Sequence, residues 1–256
     1  MSTRDRWAWV VACVSLAVWL GFASPGFGVS ETPEVTKVYV YLPWAGELTD
    51  HSSYMTSAMV SQGYTHSPLN VYRLADTDQG DNDPTPCFIS NFRVILQQGY
   101  NLWVHSHTNT DRVAVEAYDD YNPCLTRYET LMEDEEYQGG RIAIQEVDGK
   151  YAILAKAVGI AAWSQGKKQI YFVAGCWTNG LFDDFAGGLE LGYEGTATSD
   201  DHETNAKLLF ENMAGLQNNG TKRRSGDALA LEGYTPNFSH SGIIENDTVL
   251  APAVKD

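Results

Sequence analysis

The chain has 256 residues, 43% of them hydrophobic and 20% charged, and its 33 acidic side chains outnumber 17 basic ones to give a formal net charge of −16. Such a balance argues against nucleic acid and anionic membrane surfaces as partners and draws cationic peptides or proteins toward the molecule. The length suffices for one α/β domain with a full core, and no repeat, low-complexity tract or long linker divides it.

The chain opens with what reads as a secretory signal peptide, residues 1–28. Arg4 and Arg6 form its basic start, residues 7–23 are an uncharged apolar run, and the small residues Ala23 and Gly28 each offer a cleavage point. An uncleaved anchor helix is the alternative, because the run approaches the roughly 17-residue lower limit for crossing a bilayer. Either way the remaining domain, residues 29–256, is expected outside the cytoplasm: secreted, periplasmic or at the cell surface, with no membrane contact beyond the signal segment. Losing the segment removes two arginines and one aspartate, so the mature chain is one unit more negative.

Export changes the meaning of the cysteines. Cys13 departs with the signal, and Cys87, Cys124 and Cys176 remain in an oxidising space, where an odd count leaves one thiol over. Cys87 ends GDNDPTPC and Cys124 ends YDDYNPC, both beside prolines and acidic residues as befits a disulfide between surface loops, whereas Cys176 ends the apolar run IYFVAGC. Three cysteines allow three single bridges; the expected one joins Cys87 to Cys124.

In chain order, VYVYL at 38–42 predicts a first strand, and residues 52–61 predict a helix through Tyr54, Met55, Ala58 and Met59, stopped at Gly63. Residues 71–74 can return as a strand. Residues 88–98 place Phe88, Phe92, Ile95 and Leu96 on one helical face closed by Gly99, and YNLWVH at 100–105 is the next strand. An acidic, tyrosine-rich insertion near 111–140 is expected to carry one short helix. Residues 141–154 predict a hairpin about Asp148-Gly149, residues 155–165 a helix, and residues 169–174 an apolar strand. Further helices are expected over 181–191 and over 202–216, the latter starting near Thr204 or Asn205, and the tail from Ser239 can add an edge strand. Sequons stand at Asn219, Asn237 and Asn246. Strands separated by helices predict a mostly parallel central sheet covered on both faces.

Reactive groups in such sheets collect at the carboxyl ends of strands. Two ends carry suitable residues: NLWVHSHTNT delivers His105 and His107 into a polar loop, and IYFVAGCWTNG delivers Cys176 into a turn. A thiol becomes a nucleophile when a base or positive field makes it a thiolate, and imidazole is the usual base near neutral pH.

These two segments resemble the clan CD cysteine peptidases, the group of caspases, legumain, clostripain and gingipains, whose signature is an apolar strand ending in His followed by an apolar strand ending in Cys. The second segment is most similar to the gingipain-like members, with Asn179, Gly180 and Phe182 after the cysteine. The resemblance implies a three-layer α/β/α sandwich, caspase-like, hydrolysing peptide bonds with a Cys-His dyad and without cofactor or metal. His107 becomes the base, Cys176 the nucleophile, and the backbone N–H groups of Cys176 and Thr108 the oxyanion donors. The family usually has Gly where this chain has Thr108, whose β-branched side chain restricts the backbone. Asp183, Asp184 and Asp111 are candidates to receive a basic substrate side chain, and Trp177 is unassigned.

Two other readings stand beside the peptidase. One is a catalytically inactive binding domain of the same fold, favoured by Thr108. The other is a metallohydrolase using the H-x-H pair His105 and His107, although Asn109 stands where one such pattern wants Asp; His202 and His240, the remaining distant ligands, lie in polar stretches and are expected to be exposed.

Overall fold

A computed structural model describes residues 37–44, 47–63, 65–66, 87–164, 170–178, 181, 189–217 and 219–242. The expected signal segment with Cys13, the strand expected at 71–74, Asp183, Asp184 and Asn246 lie outside the described residues.

The protein is α/β, with two sheets and helices packed on them. The first sheet gathers β1 (Lys37–Tyr41), β2 (Thr65–His66), β3 (Asn101–His105), β8 (Ile170–Ala174), β9 (Leu189–Tyr193) and β10 (Phe238–Gly242). They lie in the order β10-β9-β8-β3-β1-β2, every neighbouring pair parallel except β9 with β10. The second sheet is antiparallel, ordered β4-β5-β7-β6, from β4 (Thr108–Asn109), β5 (Arg112–Tyr118), β6 (Ile142–Val147) and β7 (Lys150–Lys156). The helices are α1 (Ser53–Val60), α2 (Ile89–Gln98), α3 (Tyr121–Met132), α4 (Ala157–Trp163), α5 (Ser199–Met213) and α6 (Ser225–Leu229).

Alternation along the parallel strands divides the core. Val38, Val40, Trp103, Phe172 and Ala174 join Met55 and Met59 of α1 and Leu209 and Phe210 of α5 in one buried cluster. Tyr41, Leu102, Val104, Tyr171 and Val173 join Phe92 and Leu96 of α2 and Ile160 and Trp163 of α4 in another. The strands are buried on both faces and so read as continuous apolar runs.

Local chemistry fixes the elements. The Asp148-Gly149 hairpin forms as expected: both residues have positive φ, 48° and 77°, which a two-residue primed turn demands. Gly99 ends α2 in the left-handed region, φ 64°. The start of α2 lacks a capping side chain of its own; instead the buried carboxylate of Glu116, from β5, accepts from Ile89 N at 2.6 Å. Glu116 also accepts from Tyr118 Oη and Arg127 Nε, and these partners oppose, without cancelling, the rise in its pKa that burial causes.

Several expectations are corrected. Residues 189–191 are strand rather than helix, because Leu189, Leu191 and Tyr193 recur every second residue against the α5 cluster. Helix α5 begins at Ser199, five residues before Thr204, where Thr198 and Asp201 form a reciprocal capping box. The acidic stretch near 111–140 holds strand β5 as well as the 12-residue α3, and β5 pairs with β7 of the later hairpin. Cys87 and Cys124 are not on surface loops: both have 0% exposure, in the same core cluster, and Cys124 is in α3. His202 is also buried, at 3% exposure, because α5 turns it toward the sheet.

Candidate active site

Following the chain from β1 to β2 moves to one side of β1, and β3 then enters on the other side. The order therefore switches between β1 and β3, the place where a parallel sheet opens a crevice beyond its carboxyl ends. A cleft of about 300 Å³ lies there. Glu47, Leu48 and Thr49 after β1, residues 105–108 at the exit of β3, and Gly175 and Cys176 after β8 line it, with Ala197, Ser199 and His202 closing the far wall. His107 and Cys176 thus share one cleft, as their positions at two strand ends predict.

His107 is held from several sides. Its ring packs nearly perpendicular to that of Trp44 with centroids 4.6 Å apart, and its Nε2 is 3.7 Å from Asp148 Oδ2 at the hairpin turn, an ion-pair distance beyond hydrogen-bond reach. Burial pulls its pKa below the usual imidazole value, while the charges of Asp148 and Glu47 oppose that pull. Its carbonyl accepts from Ala114 N at 2.9 Å, which makes 107 and 114 a hydrogen-bonded pair; Thr108, opposite Val113, then occupies a non-hydrogen-bonded pair with its N–H turned away from β5.

Cys176 is half-buried and its Sγ donates to Ala197 O at 3.7 Å. The Thr108 hydroxyl donates to Cys176 O at 2.6 Å, and Trp177 N donates to Gly195 O at 2.9 Å. Trp177 has φ +56°, sterically costly for an aromatic residue, and is 49% exposed beside the thiol.

His105 and His202 form the inner wall, rings 4.9 Å apart and nearly perpendicular, with Tyr193 a further 4.9 Å from His202. Burial holds both imidazoles neutral at ordinary pH, pushing His105 down to about 4 and His202 to about 3. His51 Nε2 lies 2.8 Å from Ser199 Oγ at the same wall. Although His105 and His107 are close in sequence, no three His, Cys, Asp or Glu side chains gather as a metal site among the described residues.

Asp111, a candidate for a substrate cation, is already engaged by Lys156 at 2.9 Å and Arg112 at 3.2 Å, and the Lys156 hydrogen bond lowers its pKa. Sequence reasoning missed Trp44, Glu47 and Asp148 as neighbours of His107, and it weighed His202 only as a distant metal ligand. Only Asp148 left a signal, and it was legible as a turn residue, not as a partner of His107. No family model and no curated protein matches the chain.

Proposed function

We propose that this protein is an exported cysteine peptidase of caspase or gingipain type, with the parallel sheet and its two cores forming the centre of a three-layer α/β/α sandwich. The observation that carries the reading is the convergence of Cys176 and His107, from the ends of the adjacent parallel strands β8 and β3, on one cleft at the switch point.

In this mechanism the Cys176 thiol passes its proton to His107 and Sγ forms a bond to the scissile carbonyl carbon. Charge moves to the carbonyl oxygen, which the N–H groups of Cys176 and Thr108 receive, the latter turned away from β5 by the pairing of Thr108 with Val113. The C–N bond then breaks, His107 returns the proton to the leaving amine, and water hydrolyses the resulting thioester. The neutral resting state of His107, favoured by burial, suits a base that must accept a proton.

The substrate is a peptide or protein, cationic by preference. The acidic surface attracts it. Among the described residues that line the cleft, Glu47 is the only carboxylate and none is Lys or Arg, so a basic side chain before the scissile bond meets complementary charge. Glu47 is shared with Lys150, 3.2 Å away, and a substrate cation competes with that lysine.

Incubation of the purified mature chain with a peptide library varied at the residue before the cut tests the reading. Cleavage after Lys or Arg that disappears in Cys176→Ala is expected. A reactive Cys176 with no cleavage of any library member would instead make the protein a binding domain of this fold.

A further inference from the structure

The hydroxyl of Thr108 occupies a place in the site that its backbone role does not explain. The peptide unit joining Cys176 to Trp177 is tied at both of its polar groups. Its carbonyl accepts from Thr108 Oγ1 at 2.6 Å, and its N–H, carried by Trp177, donates to Gly195 O at 2.9 Å. With both groups held, the plane of this peptide cannot rotate, and the backbone torsion on the carboxyl side of the Cys176 Cα is fixed. Such an overdetermined peptide also explains how Trp177 persists at φ +56°.

The other side of Cys176 is equally confined. A Cβ at Gly175 would stand 2.3 Å from Thr108 Oγ1, 2.7 Å from Ser106 O and 2.8 Å from Thr108 Cγ2. The exit of β3 and the exit of β8 therefore pack backbone to backbone, and only glycine at 175 leaves room for a threonine at 108. Ser106 N donates to Ala174 O at 3.2 Å, continuing the join one residue earlier. Thr108 is β-branched and stiff about χ1, so it acts as a strut between the strand that presents the base and the turn that presents the nucleophile.

We infer that the Thr108 side chain is a positioning residue: its hydroxyl locks the Cys176–Trp177 peptide so that the Cys176 N–H and thiol face a bound carbonyl together. The threonine in place of the family's glycine is thus accommodated by Gly175 and used, not merely tolerated. This inference rests on the peptidase reading of Cys176 and His107.

Two reagents separate the effects. In acylation by p-nitrophenyl acetate the Cys176 thiolate forms a bond to the acetyl carbon, the ester C–O bond breaks and p-nitrophenolate leaves, through an oxyanion that needs the backbone donors. In alkylation by iodoacetamide the same thiolate displaces iodide with no oxyanion. Thr108→Val keeps the shape and loses the hydroxyl; it is expected to slow Cys176 acylation by about tenfold to a hundredfold while alkylation stays within about threefold of wild type. Thr108→Ser, which restores the donor, is expected to recover most of the acylation rate. Thr108→Ala gives the same comparison should valine be poorly accommodated, folding being checked by near-ultraviolet circular dichroism. Wild-type acylation in Thr108→Val or Thr108→Ala, or a Thr108→Ser as slow as they are, overturns the inference while leaving the dyad intact. Wild-type protein whose Cys176 reacts with neither reagent overturns the dyad itself.

Discussion

Trp44 stands nearly perpendicular to the imidazole of His107, ring centroids 4.6 Å apart at an interplanar angle of 87°. It is buried, in a cluster with Ala114, Ala117, Ala152 and Leu154 of the second sheet, so one side chain couples the exit of β1, the hairpin sheet and His107. Trp44→Ala is expected to cost about 3–5 kcal/mol of folding stability through the cavity it leaves. Trp44→Phe keeps an aromatic ring against His107 and is expected to cost less. Denaturant unfolding of the two variants checks this; equal losses would contradict the cavity account.

Asp148 acts on the same imidazole through charge. Its carboxylate, 3.7 Å from Nε2, opposes the lowering of the His107 pKa by burial. Asp148→Asn removes that opposition, so the His107 pKa is expected to fall further. NMR titration of the His107 ring proton measures it, and an unchanged or higher value contradicts the electrostatic assignment.

The inner histidines make stability depend on acid. His105 and His202 have folded pKa values of about 4 and about 3, below the ordinary value of 6.5. Their burial as neutral rings is fully compatible with folding above 6.5. As pH falls from there toward 4 and then 3, the unfolded chain takes up protons that the folded one refuses, and stability declines across that window. Replacing His202 with Gln is expected to flatten the decline, measured as the urea midpoint between pH 7 and pH 4; an equally steep decline in the variant contradicts the prediction.

Cys87, Cys124 and Cys176 differ in environment. Burial raises the Cys87 thiol well above its usual pKa, and Cys124 is buried in the same cluster, whereas Cys176 is in the cleft. Both Cys87 and Cys124 are free thiols in the structure, and the disulfide that the sequence suggests between them is a proposal for the protein after export. Alkylation, in denaturant without reductant, of protein recovered from outside the cytoplasm is then expected to modify Cys176 alone, with Cys87 and Cys124 reacting only after reduction. Modification of all three before reduction would show that the two buried residues remain thiols.

The elements that the sequence made legible are those whose apolar pattern matches their surroundings. The strand ending at His105, the helix ending at Gly99 and the Asp148-Gly149 hairpin follow from periodicity and turn chemistry alone. Residues 189–191 were not legible as a strand because their glycine-rich approach has no clear period, and only pairing with β8 reveals the alternation. Likewise β5 pairs with a strand whose sequence lies more than thirty residues away, and its acidic Glu116 reads as exposed until α2 and Arg127 are seen to bond to it. For the site, the two strand ends announce His107 and Cys176, but the partners of His107 come from β1 and from a hairpin tip. Thr108 and Gly175 looked unrelated in sequence; the 2.3 Å approach of a would-be Cβ makes them one feature.

The most direct test of the Cys176–His107 pairing is to label the purified mature protein with an iodoacetamide probe, map the modified residue, and repeat the experiment with His107→Ala. Labelling at Cys176 that slows when His107 is removed is the predicted result. An inert or disulfide-bonded Cys176, or labelling indifferent to His107, would contradict it.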